Sequence, residues 1–570
     1  MHALTIETTD DSTSTPLDAQ QPVTLGLASA LVPLALTACG GGGGSGSAAP
    51  APIVPPPPVV STAPTRVQAA RFLAQASLSS TAAEITQVQT LEYSAWLDQQ
   101  MALPRSSSNV AWLRSKGLDN VAYKNSQAGA DQMLWRKLLA SPDPLRQRVA
   151  LALSEIIVVS VAGIANTSFR QFAAAAFMDI LEANAFGNYR TLLEQVSTSV
   201  AMGGYLTYKG NVKANASTGS LPDENYAREV MQLFSVGLAQ LNQDGSVKLG
   251  SNGQPLETYV QDDVSQMARV FTGWNVDITV GTTDDPNRIV IPMVQYASRH
   301  ELGTKSFLGT VISANTDGVN SLRIALDTLM AHPNIAPFIG RQLIQRLVTS
   351  QPSAAYVNRV AAAFNNNGSG VKGDLRAVLR AVLLDTEARA DASLTDPTFG
   401  KLREPMIRFI QWARTFGVTD PTDEWKIGDL TDPATKLGQS PLRSPSVFNF
   451  FRPGYVPPNS PIGARTAPEF QITTESSVAG YVNFMQGAIS NGVSGLKADY
   501  TSIRTVVSDS AALLAELNVV LAAGQLSAAT LASLKSALDS ISVATTAGSN
   551  NRLYAAITLV MASPEYIALK

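Results

Sequence analysis

Apolar residues at helical spacing are the feature that most constrains the fold of this chain. The clearest stripe consists of Leu375, Val378, Leu379, Val382 and Leu383. Residues three and four positions apart lie on one face of an α-helix, which can then be buried. Similar periodicity marks the segments at about 143–160, 173–198, 225–238, 320–331, 337–349, 353–366 and 402–416. We expect a mainly α fold, an irregular multi-helix bundle or array with no fixed repeat period.

Two capping boxes predict helix starts early in the folded part. Thr65 is followed three residues later by Gln68, and Thr81 by Glu84. In this pattern the threonine hydroxyl accepts a backbone amide, and the longer side chain returns to the amide of the threonine. Each box therefore opens a helix.

Strand signals are few, and we expect only a small β insertion near residues 240–310. Three glycines punctuate residues 241–258 like a small hairpin, and residues 288–294 have the composition of a short strand. The chain thus remains mainly helical on both sides of this insertion.

Two further segments complete the expected domain organisation. Residues 417–475 are rich in proline, aspartate and serine, which indicates a long ordered loop. Residues 476–570 return to helical composition. We expect a main helical domain at 65–475 and a C-terminal helical segment at 476–570 that packs on it.

The amino-terminal segment resembles a lipoprotein signal peptide. An uncharged apolar stretch at 23–36 is too short for a comfortable membrane span, and a Leu-Thr-Ala sequence resembling a lipobox precedes Cys39. We expect residues 1–38 to be removed, Cys39 to carry lipid, and the Gly/Pro-rich residues 39–64 to form a tether. The first Lys or Arg is Arg66, whereas a signal peptide ordinarily begins with basic residues. The alternative is that 23–36 is a buried helix and Cys39 an ordinary core residue.

The residue after the cysteine bears on localisation. Gly40, rather than aspartate, follows Cys39, which in lipoprotein sorting resembles an outer-membrane address. We therefore expect an exported outer-membrane lipoprotein that faces the periplasm or the cell surface.

Composition excludes several functional classes. The net charge is -3 and no basic stripe stands out, which argues against nucleic acid as a partner. One cysteine cannot form an internal disulfide, a CxxC redox site or a thiolate zinc cluster. Three histidines, one of them in the expected signal peptide, leave too few for a multi-histidine metal centre.

The densest polar cluster is the PDENYARE sequence that ends at Glu229. Asp223 is a candidate helix cap; Glu224 and Arg228 share a helical face, as do Asn225 and Glu229. One interpretation is a structural ion pair. The other is a carboxylate site for a metal, a sugar or proton transfer, with Glu224 and Glu229 as catalytic acid and base.

A carboxylate site would need contributors from elsewhere in the chain. The candidates are His300, as a proton shuttle or ligand, and Trp274 and Lys305 as binding residues. A loop that concentrates aromatic residues adds Asn449 and Arg452 as binding candidates. The loop could equally be a plug of the core, and His300 a hydrogen-bonded structural residue.

These same segments carry a family resemblance. The chain resembles the bacterial domain-of-unknown-function 1800 family (DUF1800) over roughly residues 65–570. The blocks that carry it include DPLRQRVALALSEIIVVS, NAFGNYRTLLEQV, PDENYAREVMQLFSVGL, TYVQDDVSQMARVFTGW, GKLREP, SPSVFNFFRP and SPEY. The resemblance implies an exported protein that acts with a partner of a second family, domain of unknown function 1501. It supplies no activity, cofactor or substrate.

Two functions remain open at this stage. The first is a binding or scaffold role in the cell envelope or at the cell surface. The second is a hydrolase or lyase of envelope or extracellular polymer that uses Glu224, Glu229 and His300. A structural metal site built from Asp and Glu oxygens is a further possibility.

Overall fold

The computed structural model of the protein describes residues 63–460 and 462–570. The predicted signal peptide, Cys39 and the tether up to residue 62 lie outside the described residues. Helices dominate what is described, and the mainly α fold class with a small β insertion is confirmed. No helix in these two ranges is long and apolar enough to cross a membrane.

In the described residues, eight α-helices lie before residue 206. They are α1 (Arg66–Ala76), α2 (Ala82–Ala102), α3 (Asn109–Ser115), α4 (Ala130–Ala140), α5 (Pro144–Ile156), α6 (Arg170–Asn184), α7 (Tyr189–Ser197) and α8 (Val200–Tyr205). Both predicted capping boxes are confirmed. The Thr65 hydroxyl accepts the Gln68 amide at 3.2 Å, and the Thr81 hydroxyl accepts the Glu84 amide at 3.2 Å.

Nine α-helices lie between residues 225 and 415. They are α9 (Asn225–Gln232), α10 (Gln261–Val270), α11 (Asn287–Val290), α12 (Gly318–Ala331), α13 (Ile335–Leu347), α14 (Ala354–Asn365), α15 (Leu375–Leu383), α16 (Thr386–Arg389) and α17 (Pro405–Thr415). The predicted apolar stripe is the buried face of α15. Asp374 caps this helix by accepting the Arg376 amide at 2.9 Å.

The β structure consists of short antiparallel pairs. β1 (Trp274–Asn275) pairs with β2 (Val294–Gln295), β3 (Lys305–Phe307) with β4 (Thr310–Ile312), and β5 (Lys401–Leu402) with β6 (Ala568–Leu569). The predicted hairpin at 241–258 is present as isolated bridges, such as Leu241 with Val247 and Leu249 with Pro255.

The predicted strand at 288–294 is wrong for most of its length. Residues Asn287–Val290 form α11, and only the end of the segment pairs as β2. The Asp285 side chain accepts the Asn287 amide at 2.8 Å, so a local cap starts a helical turn where the composition favours a strand. Pro292 has no amide to donate to a ladder.

The segment between α17 and residue 467 is the long ordered loop that composition predicts. Helices and strands are absent from its described residues, and it packs against α4. Arg443 forms two hydrogen bonds with Asp131, at 2.8 and 2.7 Å. The Trp135 indole donates to the Gly428 carbonyl at 2.8 Å. These contacts hold the loop in one position over the helices.

The C-terminal helices are α18 (Glu475–Asn491), α19 (Thr501–Arg504), α20 (Ser510–Val520), α21 (Ala528–Asp539), α22 (Thr546–Ala562) and α23 (Pro564–Ile567). They belong to the same compact unit as the earlier helices. The Gln411 side chain of α17 donates to the Leu521 carbonyl at 2.9 Å, and Arg403 donates to the Tyr566 carbonyl at 3.1 Å.

Helix α5 lies at the centre of this arrangement. It contacts α2, α4, α6 and α13, and all of its residues are buried. Its sequence, PLRQRVALALSEI, nevertheless contains two arginines and a glutamate. Burial of these charged side chains requires partners from neighbouring elements, and this requirement shapes the site described below.

A buried ion pair joins α4 to α6 and provides a stability test. Lys137 Nζ lies 2.6 Å from Glu182 Oε2, and neither side chain is more than 4% exposed. Asn109 also donates to Glu182, at 2.9 Å. We expect Lys137→Met to lower the free energy of unfolding by about 3–5 kcal/mol, because it leaves a buried carboxylate unpaired. The double variant with Glu182→Leu should recover much of this loss.

Urea unfolding followed by circular dichroism measures this effect. The matched control is Lys535→Met, which removes an exposed pair with Asp539 within one helix. We expect the control to change stability little. A Lys137→Met variant as stable as the control would contradict a structural role for the buried pair.

Candidate functional site

A cavity of about 540 Å³ opens beside the C-terminal end of α5. Its walls come from the end of α9 and the chain after it, from α13, and from two stretches at 447–453 and 466–469, within and just after the long loop. The apolar lining residues are Ile156, Leu233, Leu238, Ala239, Leu241, Phe338, Val447, Phe448, Phe451, Pro453 and Pro468. Concave sites of this size, with apolar walls and a few polar groups, are typical of small-molecule binding.

The turn after α9 shapes one wall of the cavity. Gly237 has a φ of 72°, a left-handed conformation that glycine adopts without strain. A Cβ atom at this position would lie 2.7 Å from Phe338 Cε2, so glycine also lets the chain approach this ring closely. Leu238, the next residue, is 60% exposed and lies at the cavity wall.

Glu155 is the acidic residue at the α5 side of the cavity. It is 5% exposed, and neither of its carboxyl oxygens has a hydrogen-bond partner among the described residues. Arg346 Nε of α13 lies 3.6 Å from Glu155 Oε2, too far for a direct hydrogen bond. The Arg346 guanidinium also stacks over Phe451, with Cζ 4.8 Å from the ring centroid.

Burial and a second carboxylate keep Glu155 protonated near neutral pH. Desolvation raises the pKa of Glu155 to about 8, and the charge of Glu404 adds to the shift. Arg346, Lys401 and Arg148 oppose it. A neutral carboxyl can donate one hydrogen bond and accept another.

Glu404 carries the charge that Glu155 does not. Burial acts to raise the pKa of Glu404, but Lys401, Arg346 and a hydrogen bond from Gln439 together lower it. Gln439 Nε2 donates at 2.5 Å and Lys401 Nζ at 3.3 Å. Because Glu404 has direct donors and Glu155 has none, the negative charge of this carboxyl pair resides on Glu404.

Glu155 also lines a second, much smaller chamber. The chamber measures about 10 Å³. Ser440 Oγ and Asn449 Nδ2 line it and are buried without hydrogen-bond partners in the described residues, and Ser444 lines it as well. A chamber of this volume and polarity accommodates about one ordered water molecule.

The structure places the predicted residues of the PDENYARE sequence at the start of α9. Glu224 accepts hydrogen bonds from Gln261 at 2.8 Å, from Ser265 at 2.6 Å and from Arg228 at 3.3 Å. Asp223 accepts the Asn225 amide at 2.8 Å. The two acids thus hold the beginning of α9 and join it to α10.

Glu229 lies one turn further along α9. It is 9% exposed, and its Oε2 has no hydrogen-bond partner within the described chain. Burial raises the pKa of Glu229, while the charge of Arg228 opposes the shift. The charge of Glu229 contributes to the raised pKa values of Tyr205 and Tyr259, so these two phenols lie near it.

His300, Lys305 and Trp274 are buried in the β insertion. His300 is 0% exposed, with Nδ1 3.0 Å from the Thr272 carbonyl oxygen and Nε2 3.4 Å from Ser321 Oγ. Desolvation lowers the pKa of His300, and desolvation together with the charge of Arg269 lowers the pKa of Lys305 to about 8. Trp274 is 5% exposed.

Most of the predicted site residues therefore lie apart from the cavity. Glu224, Glu229, Trp274 and His300 do not line it, and Lys305 is enclosed beside β4. Asn449 does line the smaller chamber, which Glu155 also lines. Arg452 is exposed on the same loop, where its amide donates to the Gln471 side chain at 2.7 Å.

Sequence reasoning missed the residues that define the cavity, namely Glu155, Arg341, Gln342 and Arg346. One signal for Glu155 is visible: it is the single charged residue in the apolar stretch from Val149 to Val159. Metal ligation finds no support in the described ranges, where no group of three His, Cys, Asp or Glu side chains could hold an ion.

Comparison with known families gives one match. A family model described as a protein of unknown function (DUF1800) matches residues 71–568. The chain belongs to the DUF1800 family. Searches of curated proteins and of solved structures found no match. Every residue that lines the cavity of this DUF1800 protein falls within the matched region.

The protonated state of Glu155 predicts a pH dependence of stability. A carboxyl group whose pKa is higher in the folded than in the unfolded protein contributes its full stabilisation at pH values below the unfolded-state pKa. This contribution is lost as the pH rises from the unfolded-state pKa to the folded-state pKa. For Glu155 this pH range runs from about 4.5 to about 8. We expect wild-type stability to fall with pH across this window more steeply than that of Glu155→Gln.

Urea unfolding at a series of pH values between 5 and 8 checks this expectation. Glu257→Gln is the matched control, because Glu257 is exposed on the β insertion. We expect this control to follow the wild-type curve. Parallel curves for wild type and Glu155→Gln would show that Glu155 is ionised in the folded protein.

Proposed function

We propose that this protein is an exported outer-membrane lipoprotein that binds a small molecule in the Glu155 cavity. Its role in the cell envelope or at the cell surface is that of a binding or scaffold protein. A secreted protein of the domain-of-unknown-function 1501 family is its proposed partner. The cavity is the single observation that carries the binding role.

The anchoring part of the proposal rests on the amino-terminal sequence. Cys39 is the only cysteine, it follows an uncharged apolar stretch, and five glycines come directly after it. A cysteine between such segments has no core of its own to enter. Lipid on Cys39 would hold the folded part near the bilayer, at a distance set by the tether.

The binding part rests on the physical character of the cavity. Phe338, Phe448 and Phe451 supply aromatic surface, and Leu238 is exposed at the wall. Burial of apolar ligand surface against such walls contributes roughly 25 cal/mol per Å². The few polar groups then determine which ligands are accepted.

The alternative is a hydrolase or lyase that uses Glu224, Glu229 and His300. It draws no support from the geometry. Three side chains donate to Glu224, and His300 is enclosed between Thr272 and Ser321. A substrate would have to displace the packing around His300 to reach its imidazole, so a binding role is the better supported function.

The anchoring proposal predicts two results in a bacterial host. Globomycin, which inhibits the lipoprotein signal peptidase, should make the precursor accumulate. Cys39→Ala should move the protein from the membrane fraction to the soluble fraction on immunoblots. A Cys39→Ala protein that stays in the membrane fraction would contradict anchoring through this residue.

The binding proposal predicts a single site for a neutral apolar dye. Titration of the protein with Nile red, followed by fluorescence, should show one saturable site. Leu238→Trp should weaken binding about tenfold or more, because the larger side chain projects from the cavity wall and obstructs the ligand. Leu249→Trp is the matched control, since Leu249 is also 60% exposed but does not line the cavity. Equal binding by both variants would place the dye elsewhere and contradict the proposal.

A further inference from the structure

Unpaired hydrogen-bond donors line one side of the cavity. They belong to Arg341, Gln342 and Arg346, all on α13. Gln342 Nε2 and Arg346 Nε are buried without hydrogen-bond partners in the described residues. Arg341 has no ion pair or hydrogen bond from its side chain anywhere in residues 63–460 or 462–570, and burial lowers its pKa. Residues 342 and 346 are one helical turn apart, so their side chains project from one face of α13.

The charge balance of the cavity points to an anionic ligand. Its ionisable lining residues are Arg341, Arg346, Glu155 and Glu469. Glu469 is already hydrogen-bonded by Ser350. Because Glu155 is mostly protonated at neutral pH, two guanidinium groups face one carboxylate. The cavity therefore presents an excess of positive charge and of donors, beside walls that are apolar.

We propose that the cavity binds a small amphipathic monocarboxylate. This inference rests on the proposed binding function and specifies its ligand class. The apolar body of the ligand packs against Phe338, Phe448 and Phe451, and its carboxylate accepts hydrogen bonds from Arg341, Arg346 and Gln342. Arginine suits this role because its planar guanidinium pairs with both oxygens of a carboxylate.

The ligand and Glu155 interact, which makes binding depend on pH. Arg148 on α5, Arg346 on α13, Lys401 on β5 and Glu404 at the start of α17 are the charged groups that act on Glu155. Above about pH 8 the ionised Glu155 places a second negative charge near the bound carboxylate. Affinity for the carboxylate should fall as pH rises through this value, and Glu155→Gln should remove the dependence.

Competition against Nile red tests the ligand class with the whole protein. The competitors are decanoate, decan-1-ol and decyltrimethylammonium, which share a ten-carbon chain and differ in the head group. At pH 7 we expect decanoate to displace the dye at concentrations about tenfold to one hundredfold lower than decan-1-ol does, the usual effect of charge-assisted hydrogen bonds. Decyltrimethylammonium should compete least well.

A substitution at Arg341 tests recognition of the carboxylate, while Nile red binding reports that the cavity is still folded. Arg341→Met should keep Nile red binding and lose most of the preference for decanoate over decan-1-ol. Arg323→Met, at an exposed arginine of α12, is the control and should keep the preference.

Each failure has a distinct meaning. If wild type binds Nile red but decan-1-ol or the ammonium competes as well as decanoate, the monocarboxylate inference is wrong while the binding function stands. If wild type does not bind Nile red, the binding function is wrong and the inference falls with it. Unchanged preference in Arg341→Met, or equal pH dependence in wild type and Glu155→Gln, would also overturn the inference.

Discussion

Helix α5 carries charged side chains into the protein interior, and neighbouring groups supply partners for its two arginines. Arg146 pairs with Asp143 at 3.2 Å, and Arg148 donates to the Arg346 carbonyl at 2.8 Å. Glu155, near the other end, faces the Arg346 side chain. Desolvation of a charge costs several kcal/mol unless a partner offsets it. The positions of α13 and of the start of α17 are therefore tied to the charges of α5 as well as to its apolar contacts.

The cavity follows from this arrangement. Where α5 ends, its neighbours on one side are the turn after α9 and the long loop instead of further helices. Gly237 brings the turn close to Phe338, and Arg443 holds the loop to α4 through Asp131. Loops leave more open surface than interdigitated helices do. The end of a fully buried helix thus meets a space that a ligand can enter, with Glu155 between this space and the helical core.

The sequence predicted the helices well because their signals are local. The capping boxes and the apolar stripe of α15 each depend on residues within a few positions of one another. The predicted strand at 288–294 was wrong because two other local signals outweighed its β-branched composition. These signals are the helix cap from Asp285 and the break at Pro292. The cavity was missed because Glu155, Arg346 and Glu404 are far apart in the chain, and no local pattern brings them together. Asn449 lines the smaller chamber, and its role as a binding residue stays a prediction that rests on the unusual composition of its aromatic loop.

The carboxyl pair beneath the cavity explains why an anion and a neutral Glu155 belong together. Arg148, Arg346 and Lys401 surround Glu155 and Glu404, so a single carboxylate leaves an excess of buried positive charge. Two changes would reduce that excess: ionisation of Glu155, or entry of a ligand carboxylate from the cavity. Both changes place a negative charge beside Arg346, so they compete for it. Glu155 and Glu404 titrate as a unit, and a bound carboxylate would shift that titration. Glu155 stays protonated because no donor within the described residues bonds to it, and the unpaired donors of α13 are then left for the ligand.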